Sequence, residues 1–284
     1  MTRAAWWMIL AQLFFAGMNL TTRLGAHALP WSEIAAVRFL VGALVAVVVA
    51  RGRGTSIRIT DRRNAWLRSL FGTGSALGTF YALASPRISV GDAATLGATG
   101  PIFVALLSAP LLGERVGRHL TLAVLTAFAG VVAVVQPSFE SAAPVALAAT
   151  GGAVFFALAM IWLRKLGPNE SGEAVVFHFS VVAAVITLAL SLPVWQTPDR
   201  TSLLYLLGTG LSGGLAQVAM TRAYALDRAA RVSALGYLSI VLTHGLAIPL
   251  FRAPTTLLQV IGTALVIGGG LLVSYDARRE VARQ

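Results

Sequence analysis

Residues 33–50 read EIAAVRFLVGALVAVVVA, and residues 51–64, which follow, read RGRGTSIRITDRRN. The first stretch carries only Glu33 and Arg38 as charges. At 1.5 Å per residue, about 20 such residues in a helix cross the hydrocarbon of a bilayer. The second stretch is rich in arginine, as links on the cytoplasmic face of a membrane protein tend to be. An apolar span followed by a basic link decides the fold class, because the pattern recurs along the whole chain.

Working outward from it, apolar runs fall at about 4–24, 33–50, 65–84, 91–112, 119–137, 144–163, 174–194, 202–222, 231–251 and 257–275. These predict an all-α integral membrane protein with ten transmembrane helices. With the amino terminus inside, 17 of the 22 basic residues, Arg68 among them, fall at inside links or ends. That bias predicts both termini in the cytoplasm. Composition agrees: 57% of the 284 residues are hydrophobic and only 12% are charged. So few charges cannot cover a soluble globule, and apolar surface must meet lipid. The net charge of +11 alone would suggest nucleic acid, but the arginines are scattered between spans rather than gathered on one face. The absence of cysteine excludes thiol chemistry and disulfides.

Two halves resemble one another. Phe14-Phe15-Ala16 with Arg23 recurs as Phe155-Phe156-Ala157 with Arg164, and Leu96-Gly97 and Pro110-Leu111 recur 139 residues on as Leu235-Gly236 and Pro249-Leu250. Five spans per half is an odd number, so the second half enters the membrane from the opposite side. The expected organisation is a first five-helix repeat at 1–137, a second, inverted repeat at 144–275 and a cytoplasmic tail at 276–284. Inverted repeats place a binding site near the midplane, between halves that rock about it.

Polar side chains inside spans are costly and therefore informative. Gln12 and Asn19 share a face of the first span, Thr95 and Thr99 one of the fourth, Gln217, Thr221 and Tyr224 one of the eighth, and Tyr237 and His244 one of the ninth. Gln12, Asn19, Thr95, Thr99, Gln217, Tyr237 and His244 are the candidate substrate-binding residues. Arg38, Glu33 and Asp92 are candidates for gating or charge. Each has a plainer reading. Thr95 and Thr99 can bond their own helix, the amides can join neighbouring helices, Tyr224 can anchor an interface, and a lone His178 or His244 can pack. Pro101 and Pro110 should bend the fourth span. Gly74 and Gly78 form a small-xxx-small packing seam, and Gly213-Gly214 could hinge the eighth span.

Five-plus-five helices, Arg38-Phe39 in the second span, and the fourth-span run from Ala93-Ala94-Thr95-Leu96 through Pro101 and Pro110 to Gly113-Glu114 resemble the EamA family of the drug/metabolite transporter superfamily. To a lesser extent the pattern is similar to the bacterial S-adenosylmethionine carriers within it. The resemblance implies that the fifth and tenth helices are peripheral and the others surround a central cavity. The second half departs from it: Phe251-Arg252 stands where the first half has its Gly113-Glu114 cap.

No phosphate-binding Gly-x-x-x-x-Gly-Lys-Ser/Thr loop is present, and the four histidines have no ligand spacing. No cofactor and no metal are expected. The expected function is a secondary or exchange transporter that moves a small polar metabolite, an amino acid or a derivative such as S-adenosylmethionine, across the bacterial inner membrane by alternating access. An intramembrane enzyme, a channel and a scaffold are the alternatives. The partners are a small-molecule substrate and the lipid bilayer, with a homodimer allowed and no nucleic acid. Coupling is open between exchange, facilitated diffusion and protons carried by Asp92, Glu33 or a histidine.

Overall fold

The signals that start and stop the helices sit in the short polar links. In the computed structural model, which describes residues 2–26, 28–84, 95–136, 143–167, 169–251 and 256–281, the Thr2 hydroxyl accepts the Ala5 N–H at 3.2 Å and opens α1 (Arg3–Gly25). Helix α2 (Trp31–Arg53) ends at Gly54, whose φ of 64° a side chain would resist. Asp61 accepts the Asn64 N–H at the start of α3 (Arg62–Ala84), and Gly113, with φ 69°, ends α4 (Gly100–Leu112). After α5 (Arg118–Val135) and α6 (Ala143–Leu166), Ser171 caps α7 (Gly172–Ser191) and Asp199 caps α8 (Arg200–Leu226). The remainder is a short α9 (Ala229–Ala234), a 3₁₀ turn at Leu235–Tyr237, α10 (Leu238–Phe251) and α11 (Leu257–Val281).

The fold is all-helical, with no strand among the described residues. Among the described residues seven segments are long and apolar enough to cross a membrane: Arg3–Thr22, Trp31–Arg53, Thr95–Leu112, Arg118–Val135, Pro144–Leu166, Gly172–Val194 and Arg200–Leu226. Leu257–Val273 is a shorter apolar stretch. Helix α3 is not among the seven: besides Arg68 it carries several Gly, Ser and Thr residues that lower its hydropathy.

The helices pair across the two halves rather than within them. The main partners are α1 with α8, α3 with α6, α5 with α11, α2 with both α7 and α8, α3 with α7, α4 with α6 and with α9, and α1 with α10. Exchange each helix for its counterpart in the other half and the same set returns, apart from α4–α9, whose image falls largely outside the described residues. The pairing α1–α8 becomes α6–α3, α2–α8 becomes α7–α3, and α4–α6 becomes α10–α1. The pairs α2–α7 and α5–α11 map onto themselves. Glycine makes the exchange visible in atomic detail. A Cβ on Gly130 would lie 2.6 Å from Gly262 O and 2.8 Å from Val266 N. On Gly269, 139 residues after Gly130, a Cβ would lie 2.8 Å from Ala123 O and 3.1 Å from Ala127 N, which are the matching backbone atoms of the other helix. Helices α5 and α11 thus touch backbone to backbone and have only minor contacts elsewhere. In lipid, where no hydrophobic force drives helices together, such close packing holds the pair. Gly78 meets Gly152 and Ala148 O in the same manner between α3 and α6.

Links that alternate along the chain meet one another at the ends of the bundle. At one end Ser171 Oγ donates to Ser56 O at 2.6 Å, Ala229 N donates to Glu114 Oε1 at 3.0 Å, and Arg228 Nη1 donates to Arg115 O at 3.2 Å. Between other links, Gln196 N donates to Glu33 Oε2 at 3.0 Å and Gln136 Nε2 to Thr256 Oγ1 at 2.9 Å. Outward, Leu147, Leu204, Leu257 and Leu271 are at least two-thirds exposed, a surface suited to lipid chains.

Several sequence expectations change. Arg68 is not a link residue: it stands two turns into α3 and is 2% exposed. Tyr224 is no interface anchor but fully buried. Pro101 lies in the first turn of α4 rather than in a mid-span bend, because the fourth span breaks before it, at Ala98-Thr99. The ninth run is likewise broken, by the 3₁₀ turn. Helix α8 passes unbroken through Gly213-Gly214, where the missing side chains admit Arg38, Met18 and Val45. The helix of the last span continues to Val281, into the stretch read as a tail.

Candidate functional site

Helices α2 and α7 face each other through Phe39 and Phe179, whose rings meet edge to face with centroids 5.3 Å apart. These two residues are counterparts: Glu33 and Arg38-Phe39 on α2 repeat as Glu173 and His178-Phe179 on α7 at the same spacing. The ring pair therefore marks the place where the two halves exchange. Sequence reading missed this repeat and left His178 as a packing residue, although the spacing alone could have found it.

Charge gathers round the pair. The Arg38 guanidinium lies over Phe39, 4.3 Å from the ring centroid, and its Nε donates to Met18 Sδ at 3.0 Å. The Arg68 guanidinium lies over Phe179 at 4.2 Å. Its Nε and Nη1 have no hydrogen-bond partner among the described residues. Beside the ring pair a cavity of about 10 Å³, room for one water, is lined by Arg38, Phe39, Gly42, Phe179, Ser180 and Gln217. Gln217 is buried and its Nε2 also lacks a partner. An unmet buried donor costs about 1–3 kcal/mol, more when charged, so this cluster is held at some expense. On the far side of Phe179's helix turn, His178 Nδ1 lies 2.8 Å from Ser69 Oγ, and the imidazole packs edge to face on Trp66 at 5.1 Å.

Of the candidate binding residues, Gln217 alone lines this cavity. Gln12 is buried but donates to Met8 Sδ, one turn back, at 3.4 Å. Asn19 Nδ2 donates to Thr243 Oγ1 at 3.4 Å and so bridges α1 and α10, next to His244. Thr99 Oγ donates to Leu96 O at 2.6 Å, within its own turn. Thr95 and Tyr237 are buried with hydroxyls that have no partner, as is one ring nitrogen of His244, Nε2. Glu33 is fully buried; Oε2 accepts from the link before α8, while Oε1 has no partner. Asp92 lies outside the described residues, as do His27, Ala93, Ala94 and Arg252. No group of acidic or histidine side chains that could hold a metal occurs among the described residues.

The ends of the bundle carry paired charges. Arg164 Nη1 donates to Tyr224 O at 3.1 Å and to Ala225 O at 3.0 Å, closing the carboxyl end of α8, and its Nε lies 3.4 Å from Glu114 Oε1. Glu114 in turn accepts the first N–H of α9. Glu173 pairs with Arg222 and Arg53. Glu170 Oε1 accepts from Thr60 N, Thr60 Oγ and Asp61 N at 2.8, 2.5 and 2.6 Å. Burial disfavours its charge, but the Thr60 and Asp61 hydrogen bonds outweigh that and hold its carboxyl below the usual carboxylate range.

Comparison with known proteins finds the same arrangement of sequence elsewhere. The pattern of the EamA-like transporter family matches residues 2–136 and again residues 143–275. The pseudopaline exporter of Pseudomonas aeruginosa is 30% identical over 93% of this chain and 91% of its own length. The riboflavin transporter of Vibrio cholerae is 28% identical over 81% of this chain and 78% of its own, and the S-adenosylmethionine uptake transporter of Rickettsia prowazekii is 23% identical over 64% and 62%. A crystal structure with 22% identity superposes at a TM-score of 0.85 over 97% of this chain and 98% of that one, which establishes a shared fold.

Proposed function

The chain belongs to the EamA-like transporter family of multi-pass membrane proteins, which are transporters of small metabolites and not enzymes, and from that premise we propose that it works by alternating access. Its two five-helix halves, ten crossings in all, are mirror-oriented in the inner membrane with both termini in the cytoplasm. They rock about a substrate held at their junction. The substrate is a small polar metabolite, an amino acid or a derivative of one.

The observation that carries this reading is the pair of matched helix breaks. The fourth span is interrupted just after Leu96-Gly97 and the ninth at Leu235-Gly236, the same dipeptide 139 residues on. Interrupted helices at corresponding positions of two repeats free backbone groups at membrane depth, and transporters use such places to hold a substrate. Thr95, Thr99 and Tyr237 sit at these breaks. His244 follows one of them, Gln12 and Asn19 lie on α1 beside α10, and Gln217 lines the central cavity. The pairing of helices across halves supports rocking, since each half packs mainly against the other.

Counterflow in proteoliposomes tests the reading. Vesicles loaded with an unlabelled metabolite should take up its labelled form transiently above equilibrium, saturably in concentration. Linear, non-saturating flux would point to a channel and overturn alternating access.

A further inference from the structure

We propose that the substrate carries an oxyanion, a carboxylate or a phosphate on a flat body, and that Arg38 and Arg68 bind it beside the Phe39–Phe179 ring pair. The inference deepens the transport reading and rests on it.

Two guanidiniums in the interior need a counter-charge, and the described residues supply none. Among the described residues neither Arg38 nor Arg68 forms an ion pair, and the Arg68 Nε and Nη1 donors meet no acceptor at all. A charge at membrane depth costs several kcal/mol unless it is compensated. The molecule shows what a structural arginine looks like: Arg164 spends its donors on two carbonyls and lies beside Glu114. Arg68 does nothing of the kind. The cavity beside Arg38 points the same way, because Gln217 offers it a donor with no partner among the described residues and Ser180 a hydroxyl. Room has been made for the guanidinium: a Cβ on Gly72 would overlap Arg68 Nη1 and press on Phe179. Planar guanidinium forks match carboxylate and phosphate oxygens two at a time. The two phenyl faces beside them suit a flat, unsaturated body. Arg38 and Arg68 belong to the first half, Phe179, Ser180 and Gln217 to the second. An anion between them ties the halves together, and parting the halves lets it go.

The test uses the full-length protein in detergent, with benzoate, phenyl phosphate and the neutral benzamide as probes and melting temperature as the readout. A ligand that binds only the folded state raises it. Benzoate or phenyl phosphate should raise it and benzamide should not; the stronger of the two anions identifies the group. Arg68→Gln should abolish the shift while leaving the unliganded protein at least as stable, since it removes an uncompensated buried charge. A purely structural Arg68 would instead lower stability when replaced. If the glutamine variant does not fold, Arg68→Lys, which keeps the charge without the fork, should bind the anion at least tenfold more weakly. Equal shifts with benzamide, no shift with either anion, or an undiminished shift in the variants overturns the inference. Counterflow of a neutral metabolite by a protein blind to these anions would sink the anion site and leave transport standing. Anion-selective binding without counterflow would do the reverse.

Discussion

Arg68 illustrates how a single side chain can be misread from its neighbours. It follows Arg51, Arg53, Arg58, Arg62 and Arg63, so the sequence files it with a basic link. Helix α3 begins at Arg62, however, and two turns carry Arg68 into the interior. Burial is a property of the packed bundle, and no local pattern states it. The opposite holds for Gln217, whose place on a polar stripe was legible and which lines the central cavity. Gln12 and Thr99 were equally legible as polar, but each meets a partner on its own helix or turn, which a stripe cannot foretell. Glu170 offers a prediction in acid. Its folded carboxyl titrates below its ordinary value of 4.5, so its hydrogen bonds stabilise the link above that pH and are lost as pH falls through the lower, folded value. The melting temperature of the wild type should therefore exceed that of Glu170→Gln most near neutrality and approach it in acid. A difference that stays constant down to pH 3 would contradict this.

Helix ends and seams were read with mixed success, for reasons that differ by residue type. Glycine at Gly54 and Gly113 ended helices where the links begin, because a positive φ is a local demand. Proline misled. Pro101 lacks an amide hydrogen, and such a residue either kinks a helix or sits in its first turn, where that hydrogen has no partner anyway. The chain takes the second course, with the break before the proline. The Leu-Gly dipeptides, noted only as repeats, turn out to flank the interruptions of both spans. Gly74 and Gly78 were legible as a packing seam between backbones; Gly78 forms one against Gly152, whereas Gly74 makes room for the Phe155 ring. The closest approach of backbone to backbone, between α5 and α11, needed the structure, because the partner glycines are far apart in the chain. Gly130→Ala puts a methyl group 2.6 Å from Gly262 O, so the two helices must separate. Overpacking of this kind costs about 1–3 kcal/mol. A clear fall in melting temperature is expected, while Gly52→Ala, with open space around it, should be close to neutral apart from helix propensity. Equal stability of Gly130→Ala and wild type would argue against the seam.

Taken whole, the molecule is a set of contacts that survives the exchange of its halves. Span positions were largely readable because lipid demands long apolar runs, and little else in protein chemistry does. The mutual packing of α1 on α8 and α6 on α3 was not readable, since small residues along a helix say that something comes close without saying what. The repeat at 139 residues joined these levels: it aligns the glycines of α5 and α11, the interruptions of the fourth and ninth spans and, at nearly the same offset, the Phe39–Phe179 pair. In the proposed arrangement an odd number of crossings per half stands the second half upside down, and the proposed alternating access follows from that orientation. The absence of native cysteine makes the orientation open to direct labelling. Ser56→Cys lies in the link between α2 and α3, and Thr197→Cys in the corresponding link between α7 and α8. In intact cells treated with a membrane-impermeant maleimide, Thr197→Cys should be labelled from outside and Ser56→Cys protected until the cells are opened. Labelling of both positions from the same face would contradict the inverted arrangement.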